Sequence, residues 1–230
     1  MDNSLEHIAF ILDGNRRWAK AHGMPALSGH KKGYEAVRKI TEVLPKYGIK
    51  YVTYYAFSTE NWNRSKEEVK GLFGLFREVF DAGEYFARNN FRFVTIGDVT
   101  KFPKDIFEKI KYLEDTTANN TALTIIAAIN YGGRDEIIRA MKKIARDISD
   151  EKCSINDITE ERFASYLDTK KLPYPDAVVR TSEQRISNFL IWQLAYSEIF
   201  FLDKLWPDFN EDDLKAIVDE FSQRKRRYGK

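Results

Sequence analysis

Residues 7–18 read HIAFILDGNRRW, and their reading decides the fold. An apolar, β-prone run (7–12) stops at a carboxylate, a turn glycine, an amide and two guanidinium groups. The run shows no polar alternation, the pattern of a strand covered on both faces. Asp13 then has two readings. It caps a helix, a position that suits aspartate, or it belongs to a phosphate and metal site at the end of a strand.

The same grammar recurs along the chain. Runs of similar character lie at 50–57 (KYVTYYAF), 91–96 (FRFVTI), 123–129 (LTIIAAI), 176–180 (DAVVR) and 198–202 (EIFFL). Helical spacing fills most of the intervals. Tyr34, Val37, Ile40 and Leu44 share a face in 31–46, with Gly48 as a stop, and Val69, Leu72, Phe73, Phe76 and Phe80 do so in 66–89. Further helices are predicted at 103–114, 134–148, 160–167, 187–196 and 210–227. Continuous apolar strands separated by helices predict a single α/β domain over 1–230, with a mostly parallel central sheet of about six strands. No linker or repeat divides the chain, and 149–159 reads as a polar surface connection.

Composition narrows the function classes. The chain is 43% apolar, enough to bury a sizeable core, and 37 basic residues nearly balance 35 acidic ones. That balance argues against nucleic acid as a partner and leaves local basic clusters as the informative feature. One cysteine, Cys153, excludes an internal disulfide and a multi-cysteine zinc site, and fits a reducing cytoplasm. The N-terminus lacks a signal-peptide pattern, and no apolar run approaches the ~20 residues that span a bilayer. The expected location is cytoplasmic, soluble or peripheral at the inner face of the membrane.

In a parallel sheet the strand C-termini share one edge, where open α/β sheets bind ligands. DGNRRW, STENWNR, GD (97–98), NYGGR and TSEQRIS each follow a predicted strand, so five polar loops converge there. They carry Arg16, Arg17, Arg64, Arg134, Arg180 and Arg185, with His30, Ser58, Asn61 and Ser187, against few acids: Asp13, Glu60, Asp98 and, further on, Glu198. Arginine forks match phosphate oxygens, and Mg²⁺ is often held by one or two carboxylates plus phosphate. Taken singly, each feature has a plainer reading. Arg16 and Arg17 are ordinary helix charges, His30 a loop histidine, Trp18 and Trp62 packing residues, and RKRR (224–227) a solvated helix end. The aromatic run 73–86 reads as core, although Gly71, Gly74 and Gly83 interrupt it, each at a cost of about 1 kcal/mol relative to alanine. GxxxxGK[ST], GxGxxG and DDxxD are all absent.

The stretches HIAFILDGNRRWAK, GHKKGYEAV, YAFSTENWNR, IGD, NYGGRDEI, VVRTSEQRISNFLIWQLAYSEIFFLDKLWPDF and RRYG, in that order, resemble the cis-prenyltransferases. The likeness is close to the undecaprenyl diphosphate synthase group of isoprenyl transferases, from about residue 5 to the C-terminus. The resemblance implies Mg²⁺-dependent elongation of an allylic diphosphate, typically farnesyl diphosphate, by isopentenyl diphosphate units with cis geometry. It implies that Asp13 holds the metal and the allylic diphosphate, that Gly14, Asn15, Arg16 and Arg17 cradle that diphosphate, and that His30 contacts it. Trp18, Ser58, Thr59, Glu60, Trp62 and Arg64 form the adjoining wall, and Asn61 matches a residue implicated in proton removal. Arg180, Arg185, Ile186 and Ser187 match the isopentenyl diphosphate clamp, and Glu198 a second metal ligand from the same chain or its partner. Arg227-Tyr228-Gly229 matches an element that crosses a homodimer. An apolar tunnel for the prenyl chain is implied, open at Ala56 and floored near Leu123, with a long product such as undecaprenyl diphosphate, a lipid carrier for cell-wall glycan.

Two positions depart from the family pattern. Ala26 stands where an arginine is usual, and Arg180-Thr181-Ser182-Glu183-Gln184-Arg185 is one residue shorter than R-T-x-G-x-x-R, which shortens its reach by up to ~3.5 Å. Ser65 replaces a usual proline. The alternatives are a non-catalytic partner subunit, a synthase of shorter product length, and an α/β protein acting on another phosphorylated ligand.

Overall fold

In a computed structural model that describes residues 4–225, all six expected strands form and pair in parallel. They are β1 (His7–Ile11), β2 (Tyr51–Ser58), β3 (Phe91–Ile96), β4 (Leu123–Tyr131), β5 (Ala177–Thr181) and β6 (Glu198–Leu202). Their order across the sheet is β3-β4-β2-β1-β5-β6. Every residue of β1, β4 and β5 is buried, as strands covered on both faces require.

The α-helices among the described residues are α1 (Asn15–Ala21), α2 (Ala26–Val43), α3 (Lys66–Phe80), α4 (Gly83–Asn89), α5 (Lys104–Thr116), α6 (Gly133–Ser149), α7 (Glu160–Ala164) and α8 (Glu211–Gln223). On one face of the sheet, Ile8, Phe10, Tyr54 and Phe57 pack against apolar residues of α2, α3, α4, α5 and α8. Trp206, fully buried, joins that layer to the sheet: it stacks on Phe209 and donates through Nε1 to the Gly33 carbonyl at 2.9 Å. The opposite face buries Ala9, Ile11, Ile126 and Val178 beneath Phe189, Leu190 and Leu194.

Three expectations are corrected. The helix predicted over 66–89 breaks at Asp81-Ala82 into α3 and α4. Asp13 is not a helix cap, since Gly14 takes that position. The helix predicted over 187–196 is a chain of turns, with Ser187, Asn188 and Leu190 at positive φ. Its apolar spacing is real, but Phe189, Leu190 and Leu194 reach the core from turns. Residues 149–159 form a largely exposed connection with one short 3-10 turn at Ile155–Asp157. Arg227-Tyr228-Gly229 lies outside the described residues.

His7 fastens the start of the sheet. Its Nδ1–H donates to the Pro173 carbonyl and its Nε2 accepts from the Thr53 hydroxyl, both at 2.8 Å. Burial lowers its pKa to about 4, against the raising effects of the Pro173 hydrogen bond and the Asp176 charge. The folded state then binds fewer protons than the unfolded chain between about pH 4 and 6.5. This stabilising contribution is complete above pH 6.5 and is lost as the pH falls toward 4. Denaturant unfolding of wild type and His7→Gln at pH 7 and pH 4.5 tests it: the stability difference should narrow by about 2 kcal/mol at the lower pH. An unchanged difference contradicts the assignment.

Candidate active site

The ends of β1 and β5 are locked together at Asp13. Its N–H donates to Thr181 Oγ1 at 3.1 Å, and that hydroxyl donates to the Asp13 carbonyl at 2.7 Å. Carboxylate Oδ2 receives Arg180 Nη2 at 2.8 Å, while Oδ1 receives the Gly14 N–H at 2.7 Å and lies 3.2 Å from Arg17 Nη2. Gly14 turns the chain from β1 into α1 at φ +109°, a left-handed conformation, and a Cβ there would sit 2.8 Å from Leu205. This turn places Asn15, Arg16 and Arg17 on the first turn of α1, beside the strand ends.

Two clusters of cations flank Asp13, each gathered around one carboxylate. In the first, Glu183 lies 3.4 Å from Arg17 and 3.5 Å from Arg180, and pairs with Arg185. Arg180 Nη1 also donates to Ser187 Oγ and to the Arg185 carbonyl, each at 2.5 Å, and Arg185 Nε donates to Ser187 Oγ at 3.2 Å. The shortened loop therefore still brings Arg185 to the cluster. In the second, Glu68 accepts from Arg64 at 2.9 Å and His30 Nε2 at 3.2 Å, with Arg16 at 3.9 Å. Burial lowers the His30 pKa, and the Arg64 and Arg16 charges add to it against Glu68, so the ring is neutral near pH 7. Ser65, the substituted proline position, caps α3 by accepting the Glu68 N–H at 3.2 Å.

The remaining wall is a network of local bonds. Asn61 Oδ1 accepts the Ser58 N–H at 3.1 Å in a capping box. Trp62 Nε1 donates to Asn130 at 2.8 Å, and Asn130 donates to the Asp98 carbonyl at 2.7 Å, tying three loops together. Asn188 donates to Glu60 at 2.9 Å and accepts the backbone N–H groups of Gly133 and Arg134 at 2.7 and 2.9 Å. Burial opposes ionisation of Glu60, but the Asn188 bond and its own turn outweigh burial and lower its pKa. Thr59 lies against Gly132, and half-buried Ile186 packs on the second core.

Two expected site residues stand apart. Trp18 is a packing residue here: it stacks on His22 and donates to Asp208 at 2.8 Å. Glu198 begins β6 opposite Ala177, the first residue of β5, and pairs with Arg224 at 2.6 Å. It lies at the opposite edge of the sheet from Asp13 within one chain. Sequence reasoning passed over Glu68, Glu183 and Asn188 as individuals. Glu68 had a signal, four residues after Arg64 on a predicted helix.

Beside the second cluster lies an apolar cavity of about 150 Å³, with Asn15 and His30 among its lining residues. It follows α2 from His30 to Thr41, eleven residues or about 16 Å of helix. Ala56 and Phe76 line it, as do Phe93 and Ile125; Leu123 is buried in the same core but is not part of the lining. Near its far end, Thr41 Oγ1 and Tyr54 OH are hydrogen-bonded at 2.8 Å.

Residues 11–229 match the family model described as "Putative undecaprenyl diphosphate synthase". The chain belongs to that family. An isoprenyl transferase of Treponema denticola is 45% identical, covering 100% of this chain and 99% of its own. A ditrans,polycis-undecaprenyl-diphosphate synthase ((2E,6E)-farnesyl-diphosphate specific) of Pasteurella multocida is 44% identical, covering 99% and 96%. Among solved structures, lavandulyl diphosphate synthase from Lavandula x intermedia, in complex with dimethylallyl diphosphate, superposes with a TM-score of 0.95 at 35% identity, covering 99% of each chain. A probable undecaprenyl diphosphate synthase from Campylobacter jejuni gives 0.83 at 36%, covering 100% of each. The chain is therefore a prenyl-transferring enzyme by family, and the helices among its described residues include none long and apolar enough to cross a membrane.

For a cis-prenyltransferase the question of a metal is specific. Among the described residues no three acidic, histidine or cysteine groups converge on one point. Asp13 is the strand-end carboxylate between the cation clusters, with its side chain about one-third exposed (32%). That donor set fits a hard cation completed by ligand phosphate oxygens, the usual habit of Mg²⁺.

The close approach of α1 and α2 carries the site. A Cβ on Gly29 would fall 2.0 Å from the Asn15 carbonyl oxygen. Gly29→Ala should therefore force the helices apart, lowering stability by about 1–3 kcal/mol and weakening turnover through the displaced Asn15 and His30. Thermal unfolding and steady-state kinetics read both, and an unperturbed variant contradicts the packing argument.

Proposed function

We propose that the chain is a Mg²⁺-dependent cis-prenyltransferase that adds isopentenyl diphosphate units to an allylic diphosphate, farnesyl diphosphate. Its product is a long-chain polyprenyl diphosphate such as undecaprenyl diphosphate, the lipid carrier of cell-wall glycan synthesis. One observation carries this reading: two cation clusters flank a single strand-end carboxylate, with an apolar cavity beside one of them. Two clusters suit two diphosphates, and the cavity suits a hydrocarbon tail.

In this reading Arg16, Arg64 and His30 hold the allylic diphosphate, with Gly14 and Asn15 shaping the turn beneath it, while Arg17, which the resemblance assigns to the same diphosphate, stands in the other cluster beside Glu183. Arg180, Arg185 and Ser187 hold isopentenyl diphosphate, placing its double bond near the allylic carbon. The allylic C–O bond breaks with its electron pair going to the leaving diphosphate, whose growing charge the guanidinium groups stabilise. A C–C bond then forms and a proton leaves the new unit, giving a cis double bond. Mg²⁺ held by Asp13 and diphosphate oxygens would neutralise leaving-group charge. Asn61 is a neutral amide already bonded to the Ser58 N–H. It therefore positions a water or diphosphate oxygen that takes the proton, rather than acting as the base. The apolar cavity walls keep water from the allylic cation.

The enzyme works as a homodimer in the cytoplasm, touching the membrane through its lipid product. Ile199 and Phe201 on edge strand β6 are 40% and 42% exposed, the apolar edge that a second copy would cover. Glu198, on the same strand, would then serve a metal only across such an interface.

A shorter product is the second reading. Its support is the cavity ending at Ile125 and the Thr41–Tyr54 pair, together with the likeness to a synthase complexed with dimethylallyl diphosphate. Incubation with farnesyl diphosphate, labelled isopentenyl diphosphate and Mg²⁺, followed by chain-length analysis, separates the two. Long polyprenyl products support the first reading and products of few units the second. No incorporation by the folded dimer contradicts both and favours a non-catalytic partner subunit. Asp13→Asn, which retains an acceptor for Arg180, should lower turnover by about 10²–10³-fold. Retained activity removes Asp13 from the metal site.

A further inference from the structure

We propose that Glu183 is an internal stand-in for the second diphosphate, holding the Arg17–Arg180–Arg185 cluster until isopentenyl diphosphate displaces it. The proposal rests on the reading of that cluster as a diphosphate site. Three guanidinium groups brought to one point repel one another unless an anion lies among them. In this structure the anion comes from the chain itself: Glu183 Oε1 is 3.4 Å from Arg17, Oε2 is 3.5 Å from Arg180, and Arg185 pairs with Oε2. Ser182, at φ +64°, starts the turn that places Glu183 here, and Arg17 Nη2 donates to Ser182 Oγ at 2.6 Å. A serine in the left-handed region marks a backbone held by its surroundings.

The two internal carboxylates differ in how firmly they are fixed. Glu68 stands on α3, four residues after Arg64, with its own N–H bound by Ser65, close contacts to Arg64 and His30, and 14% side-chain exposure. Moving its carboxylate would break the close contacts to Arg64 and His30 together, so it orients those side chains and stays. Glu183 stands on a turn, is 26% exposed, touches Arg17 and Arg180 only at long range, and makes its one close pair with Arg185, a side chain that is itself 66% exposed. A diphosphate has more charge and more acceptor oxygens than a carboxylate, and replaces it with shorter, forked contacts. Once displaced, Glu183 remains beside the bound anion and repels it. Glu183 therefore raises the KM for isopentenyl diphosphate and eases the elongated product's diphosphate out of this cluster.

Glu183→Gln tests this, because the side chain keeps its size and lies in a partly exposed turn. Titration calorimetry of the full-length protein with inorganic pyrophosphate and with isopentenyl diphosphate should show about 3- to 10-fold tighter binding than wild type. The KM for isopentenyl diphosphate should fall by a similar factor, with that for farnesyl diphosphate unchanged. Glu183→Asp, which retains the charge but shortens the reach, should move in the same direction by less. Unchanged or weaker binding in Glu183→Gln, while wild type elongates farnesyl diphosphate normally, overturns the proposal alone. A wild type that binds neither diphosphate and makes no product overturns the functional reading beneath it.

Discussion

The ion pair between Asp13 and Arg180 joins the ends of two neighbouring strands, and the site is organised around it. Arg180 is almost wholly buried, with 4% of its side chain exposed, and its Nε has no hydrogen-bond partner among the described residues. A buried guanidinium is tolerable only when its other N–H groups are met. Here they are met by Asp13, the Arg185 carbonyl and Ser187, so one charge fixes a strand end, a turn and a clamp. Asp13 in turn is shared with Arg17 on α1. Movement of any member alters the rest.

The position of this pair follows from topology. After β1 the chain passes to α1 and α2 on one face of the sheet, and after β5 it passes to turns that cover the other. Adjacent parallel strands whose continuations part in this way leave a crevice at their C-terminal ends, where such sheets bind ligands. The crevice receives one cation cluster from each side. The apolar cavity lies on the α2–α3 side alone, which in the proposed reaction would give a tail-bearing allylic substrate and a small second substrate different places.

Much of this was legible in the sequence. The six strands were visible because unalternated apolar runs admit few other readings, and the convergence of Asp13, Arg17, Arg180 and Ser187 followed from their positions after those runs. Residues 187–196 were misread because apolar spacing records which side chains are buried, not the backbone that buries them. Left-handed Ser187, Asn188 and Leu190 break the helix and leave no such signature. Trp18 reads from its sequence setting as a packing residue, and its contacts with His22 and Asp208 are of that kind; only the family resemblance gave it a place in the site wall. Glu68 and Glu183 were passed over because a carboxylate near arginines reads as ordinary charge balance. Only geometry shows that Glu183 is the hub of three guanidinium groups and Glu68 of two together with the His30 ring.

In the proposed reaction Asp13 separates two distinct diphosphate sites. A crystal structure with a non-ionising thiolo analogue of farnesyl diphosphate, isopentenyl diphosphate and Mg²⁺ tests it most directly. The analogue's diphosphate should lie beside Arg16, Arg64 and His30 with its tail in the α2–α3 cavity, and isopentenyl diphosphate on Arg17, Arg180, Arg185 and Ser187. Both ligands on one cluster, or either bound away from the Asp13 edge of the sheet, would contradict it.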